Sequence, residues 1–280
     1  MAHAELQAQR FENKYLVDES TALAVREFVC GYLECDEFSE GMPNFSYPVH
    51  SLYLDSPDLK LFHRTINGDK NRFKLRVRYY RDEPDEPTFF EIKRRNNNTI
   101  SKQRGMVRRA AVGPILAGEY PTESHMLSRK GSELEAVRRF YQHVQELRAY
   151  AVAHVAYMRE AWVSPYDNSV RVTLDREVLW SMDPTTNLFV GMHEPVCVFG
   201  KLVVLELKFT NRFPDWFGDL VRVFNLMQCG AAKYAEGLVL AGQDRVMRDI
   251  YLAHSGLVLP GLDEQSILLS KGRPPFKMTL

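Results

Sequence analysis

Lys74, Arg76 and Arg78 alternate with Phe73, Leu75, Val77 and Tyr79. Alternate side chains of a strand point to opposite faces, so the three cations share one face and the apolar residues the other. The pattern recurs. Arg10, Glu12 and Lys14 stand against Phe11 and Tyr15, and Glu91 and Lys93 against Phe90 and Ile92. Arg171, Thr173 and Asp175 stand against Val170, Val172 and Leu174, and Glu206 and Lys208 against Leu205, Leu207 and Phe209. Any one of these reads as an ordinary strand with a solvated side. Together they suggest more, because three cations in a row repel unless an anion or an acidic neighbour compensates. Moreover, Lys201 to Phe209 is apolar enough for a central strand yet embeds a charged pair, which is costly unless paired or serving a ligand. A closed barrel with a charged lumen and a helix-covered exterior accounts for both features. Such a lumen suits a phosphate chain, whose oxygens Arg grips in pairs and Lys neutralises as a point charge. Carboxylates set among the cations can hold a divalent metal that bridges phosphate oxygens.

The 280-residue chain is formally neutral, but Lys60 to Arg109 carries fifteen Lys and Arg against six Asp and Glu. A basic segment inside a neutral protein points to a local anion site rather than a general polyanion surface. Nucleic acid is the least favoured ligand, since the cations are expected to face inward and the aromatics of the same strands lie opposite. Apolar residues at 45% and charged residues at 26% are ordinary for a soluble protein. No apolar run approaches the roughly eighteen residues of a membrane helix, and the N-terminus lacks a secretory pattern. Four cysteines without a CxxC pair suggest reduced thiols and a cytoplasmic location, with Cys30 and Cys35 packing as small apolar residues. Eight scattered histidines form no metal-binding pattern. No Walker or GxGxxG motif occurs.

Several elements must position these residues. Strands are expected over 9–17, 49–55, 73–80, 88–94, 151–163, 169–175, 177–182 and 201–209. Helices are expected from Ser20 to Leu33, capped by Asp18 or Ser20 with Leu23, Phe28 and Val29 on the apolar face, and from Ser132 to Leu147. Two more follow: Pro214 to Met227, with Val223 and Met227 on its buried side, and a last helix from Lys233 or Tyr234 towards Arg248. Asp55 either caps the turn at Ser56-Pro57 or pairs with the basic lumen. Arg94-Arg95 with Asn96-Asn97-Asn98 reads as an exposed turn, or as a guide for a phosphate chain at the mouth of the barrel. Coil is expected from Ser255. The simplest organisation is one α+β domain over 1–280, with its core at about 9–248.

The ordered set Arg10-x-Glu12-x-Lys14-Tyr15, Lys74-x-Arg76-x-Arg78, Glu91-x-Lys93, Tyr157-x-Arg159, Arg171-Val-Thr-Leu-Asp175, Glu206-x-Lys208 and Lys233-Tyr234 resembles the VTC polyphosphate polymerase domain. That family belongs to the triphosphate tunnel metalloenzymes, alongside the CYTH-type triphosphatases. The resemblance implies an eight-stranded antiparallel β-barrel with flanking helices, in which inward Lys and Arg hold triphosphate and acidic residues coordinate Mn²⁺ or Mg²⁺. Carried onto this chain, it implies phosphate ligands at Lys14, Lys74, Arg76, Arg78, Lys93, Lys102, Arg159, Arg171, Lys208 and Lys233. It implies a metal at Glu206, supported by Glu12 and Glu91. Lys93, Arg76, Arg78 and Glu206 would carry the catalysis. Tunnel triphosphatases usually begin Glu-x-Glu-x-Lys. Arg10 stands at the first of these positions, which moves the sequence towards the polymerase branch and removes one carboxylate.

The implied activity is transfer of the ATP γ-phosphoryl group to a polyphosphate chain. The alternatives are a hydrolase of triphosphate, polyphosphate or nucleoside triphosphate on the same tunnel, and a non-catalytic sensor. The implied partners are ATP and polyphosphate or triphosphate, with a membrane-protein partner conceivable.

Overall fold

The computed structural model describes residues 10–167 and 169–255. Its strands are β1 (Arg10–Val17), β2 (Glu34–Cys35), β3 (Ser46–Asp55), β4 (Asn71–Tyr79), β5 (Thr88–Asn96), β6 (Thr99–Val107), β7 (Tyr150–Val163), β8 (Val170–Met182), β9 (Val196–Cys197) and β10 (Val203–Thr210). Its helices are α1 (Glu19–Val29), α2 (Lys60–Ile66), α3 (Val112–Leu116), α4 (Gly131–Leu147), α5 (Asp215–Val223), α6 (Lys233–Ala241) and α7 (Gln243–Ser255).

Eight strands close an antiparallel barrel in the order β7-β3-β4-β5-β6-β1-β10-β8, and β8 returns to β7. The short β2 and β9 attach to β7 and β8. One seam is thin: among the described residues, β1 pairs with β6 at Arg10 and Ile100 alone. The fold is α+β, with apolar faces turned outward under the helices. Helix α4 packs on β5 and β6, with Phe140 edge-on to Phe90 at 4.8 Å. The outward side chains of β1 and β10 (Tyr15, Leu205, Leu207) form one core with Ala22 and Val25 of α1 and Phe217 of α5. Helix α6 lies so close to β8 that a Cβ at Gly237 would stand 2.3 Å from Trp180.

Several expected elements differ from those observed. The strands expected at 169–175 and 177–182 are one strand, β8, kinked where Glu177 adopts a positive φ of 50° and the register with β7 shifts. Strand β6 was not anticipated, because its outward face carries few large apolar residues. Gly105 lies on that face, where an added Cβ would meet Glu133 O at 2.5 Å, so the close approach of α4 requires it. Helix α2 also has no apolar signature of its own. Buried Asp55 caps it, accepting from the N–H groups of Leu61 and Phe62 at 2.8 Å each, which decides its role in favour of capping.

Helix α1, capped by Asp18, stops at Val29 and buries Ala22 and Val25, leaving Leu23 exposed. Helix α5 stops at Val223, leaving Val223 and Met227 exposed. The last helix breaks into α6 and α7 at Gly242, whose φ is +87°. Cys30 is exposed rather than packed, and all four thiols are free. Among the described residues no helix is long and apolar enough to cross a membrane. The coil expected beyond Ser255 lies outside the described residues.

Candidate functional site

Strand alternation directs the charged faces into one cavity of about 1160 Å³. Its wall includes Glu12 and Lys14 of β1, Lys74, Arg76 and Arg78 of β4, Lys93 of β5, and Lys102 of β6. It continues through Arg159 of β7, Arg171 of β8, Glu206 and Lys208 of β10, and Lys233 at the start of α6. Arg10 also lines it. Glu91 does not, because its buried carboxylate sits behind Arg76.

One side of the lumen is compensated by acids. The Glu206 carboxylate is 2.6 Å from Lys208 Nζ, 3.2 Å from Lys233 Nζ, 3.4 Å from Lys14 Nζ and 3.7 Å from an Arg159 nitrogen. Burial alone would raise its pKa; these cations, Lys208 first, hold it well below the usual carboxylate range. Asp175 takes a forked pair of hydrogen bonds from Arg159 at 2.7 Å and contacts Lys233 Nζ at 2.7 Å. Glu12 is 2.8 Å from Lys93 Nζ and 3.3 Å from Lys14 Nζ. Against the cost of burial, Lys93 and then Lys14 keep it ionised.

The other side is compensated only in part. Among the described residues, Lys74 and Arg78 have no carboxylate within ion-pair distance. Burial, then Lys14 and Lys93, pushes the Lys74 ammonium down to about 8. Lys102, 3.5 Å from Glu91, is likewise pushed down to about 8, chiefly by burial. Arg78 is 7% exposed; among the described residues its guanidinium donates to Tyr157 Oη at 3.0 Å, and its Nε has no partner. A buried guanidinium N–H left without a partner is costly. Arg76 is held by Glu91 at 2.7 Å and donates to Tyr53 Oη at 3.2 Å. Burial would raise the Tyr53 phenol, but Arg76 and Lys74 draw it down to about 7. Arg171 is 2.9 Å from Asp36.

Glu12 and Glu206 both contact the Lys14 ammonium, at 3.3 and 3.4 Å, so the two carboxylates lie on the same side of the lumen. Two hard oxygen donors of this kind suit Mg²⁺ or Mn²⁺, which take one or two carboxylates and complete their shell with other oxygens. Among the described residues no group of three or more His, Cys, Asp or Glu could hold a metal. Glu91 stands apart from that pair, beside Arg76 and Lys102. The histidine chemistry is elsewhere: His50 and His154 lie 2.9 Å apart under the barrel wall, and burial pushes them down to about 4 and about 3.

The structure thus gathers all ten sequence-derived cations and the Glu12–Glu206 pair around one space. Sequence reasoning passed over the roles of Asp175 and Tyr157, although both lie in the charged-strand motifs. Tyr157 spans the two sides: Lys233 and Arg159 lie over its ring at 4.9 and 5.0 Å, and its hydroxyl accepts from Arg78. Tyr53 and Asp36 carried no signal, because an isolated Tyr or Asp near a strand end has no distinguishing spacing.

The sequence model of the VTC domain matches residues 9–241. One solved structure, described as "a putative adenylate cyclase" from Bacillus halodurans, aligns at 11% identity with a TM-score of 0.43, over 80% of this chain and 93% of that one. A search of the curated proteins finds no match.

Proposed function

The chain belongs to the VTC domain family, and from that premise we propose that it transfers the γ-phosphoryl group of ATP to the end of a polyphosphate chain inside the barrel. One observation carries the reading. A wall of uncompensated cations, Lys74 and Arg78 foremost, faces a carboxylate pair, Glu12 and Glu206. A phosphate chain supplies the anion that the first lacks, and a divalent metal suits the second.

In this reaction the bond from the γ-phosphorus to the bridging oxygen of ADP breaks, and a bond from the chain's terminal oxygen to the same phosphorus forms. Arg76, Arg78 and Lys93 hold the phosphates in line and match the charge of the transition state. Glu12 and Glu206 would hold Mn²⁺ or Mg²⁺, which neutralises phosphate charge when bound. Lys208, Lys233 and Lys14 keep Glu206 ionised, and Lys93 with Lys14 keeps Glu12 ionised. Four carboxylates set among the lumen cations (Glu12, Glu91, Asp175 and Glu206) are held below their usual range and are weak bases. That suits a nucleophile which is already an anionic phosphate and needs no general base.

The test is product analysis after incubation with ATP and Mn²⁺ or Mg²⁺. Growing chains with matching ADP support the transferase. Free phosphate equal to ADP, without chains, supports hydrolysis on the same lumen and overturns the proposal.

A further inference from the structure

Across β4 and β5 the facing pairs run Arg76–Glu91, Lys74–Lys93 and Arg72–Arg95, from the middle of the strands to their end. The first pair is a cation with an anion. In the second, Lys93 has Glu12. In the third, two guanidinium groups face each other across the strands, and neither has a carboxylate within ion-pair distance among the described residues. Both line the cavity. Each is steadied by a backbone acceptor: Arg72 Nη1 donates to Asp69 O, and Arg95 Nε donates to Asn97 O at 2.9 Å. Their other N–H groups remain available. The neighbouring Arg94 is engaged elsewhere, over the Phe73 ring at 5.3 Å and within 3.2 Å of His143 Nε2. Like charges directly opposite destabilise a strand pair, and an anion lying between them removes that cost.

Resting on the reading of the lumen as a phosphate-chain site, we propose that Arg72 and Arg95 form a second anion subsite at the rim of the barrel, which holds the part of a linear phosphate chain beyond its reacting end. Arg72 precedes Arg76 by four residues, about 13 Å along the strand. A triphosphate seated on Arg76, Arg78 and Lys93 leaves this rim empty, whereas a longer chain crosses it. The subsite therefore makes affinity depend on chain length and retains a growing product between additions.

The experiment is a calorimetric titration of the full chain with tripolyphosphate and with long-chain polyphosphate, nucleotide absent so that no turnover contributes. The wild type is expected to bind the long chain at least about tenfold more tightly than tripolyphosphate. The R72Q/R95Q variant is expected to lose that advantage while its tripolyphosphate affinity stays within about twofold. An R72K/R95K variant, which keeps both charges, is expected to retain most of it. Equal losses for both ligands, or no loss for either, overturn the subsite. Wild-type binding of tripolyphosphate without length dependence overturns the subsite alone. Binding of neither ligand overturns the lumen reading, and the subsite with it.

Discussion

Lys74 and Lys93 face each other across β4 and β5, and only Lys93 has a carboxylate, Glu12, at 2.8 Å. The boundary between the compensated and uncompensated sides of the lumen runs between these two residues. It predicts where an incoming anion contributes most.

Anion affinity is expected to depend on pH through Lys74. Its ammonium titrates at about 8 in the free protein because burial, then Lys14 and Lys93, disfavour the charge. A bound polyanion raises that value, so binding takes up a proton in the interval between the two. Affinity should therefore be insensitive to Lys74 below about 8 and fall as pH rises above it. The ratio of wild-type to Lys74→Met tripolyphosphate affinity, followed by calorimetry across this range, cancels the ligand's own titration. A ratio that does not change with pH would contradict the assignment.

Glu206 is expected to matter for stability as well as turnover. Glu206→Ala leaves Lys208, Lys233, Lys14 and Arg159 without their shared anion. Removing one partner of a buried ion pair costs about 3–5 kcal/mol. Thermal unfolding should show a large loss in this variant, partly restored by tripolyphosphate, which binds the native state and supplies the missing charge. Unchanged stability would mean that the four cations do not depend on it.

Glu160 provides the contrasting case on the outer face of β7. Its buried carboxylate accepts from Arg26 Nε and Nη2, Arg176 Nη1 and Trp162 Nε1, each at 2.7 Å, and ties α1 to the barrel. Glu160→Gln is expected to destabilise the fold by about 3 kcal/mol while leaving tripolyphosphate affinity of the folded protein unchanged. An affinity loss at low temperature, where the variant is folded, would show that this outer cluster reaches the lumen.

Gly237 lies one helical turn after Lys233, on the face of α6 that meets β8. Alanine there places a Cβ 2.3 Å from Trp180, so α6 must shift, at a cost of about 1–3 kcal/mol. The shift carries Lys233 away from Asp175 and Glu206. Both stability and anion affinity are expected to fall together. A loss of stability without a loss of affinity would mean that the helix adjusts without moving Lys233.

The charged faces are legible in the sequence because period-2 alternation is strong in β1, β4, β5, β8 and β10 and assigns each charged side chain a face. What escaped was set by tertiary contact. Strand β6 is a strand because β5 and α4 hold it, and its Gly105 reads locally as a breaker. Glu177 looks like a gap between two strands because its positive φ is a kink that the neighbouring β7 accommodates. The division of the lumen into compensated and uncompensated sides was also hidden. It depends on which strands become neighbours, such as Lys93 of β5 reaching Glu12 of β1 across the barrel.

The most direct measurement concerns Arg78, the buried guanidinium whose Nε has no partner. Tripolyphosphate is titrated calorimetrically into the wild type and into Arg78→Met, with folding of the variant verified by thermal unfolding. If the uncompensated side holds the phosphate chain, the folded variant should bind about a hundredfold more weakly, the worth of one or two charge-assisted hydrogen bonds. Equal affinity in wild type and folded variant would contradict the account.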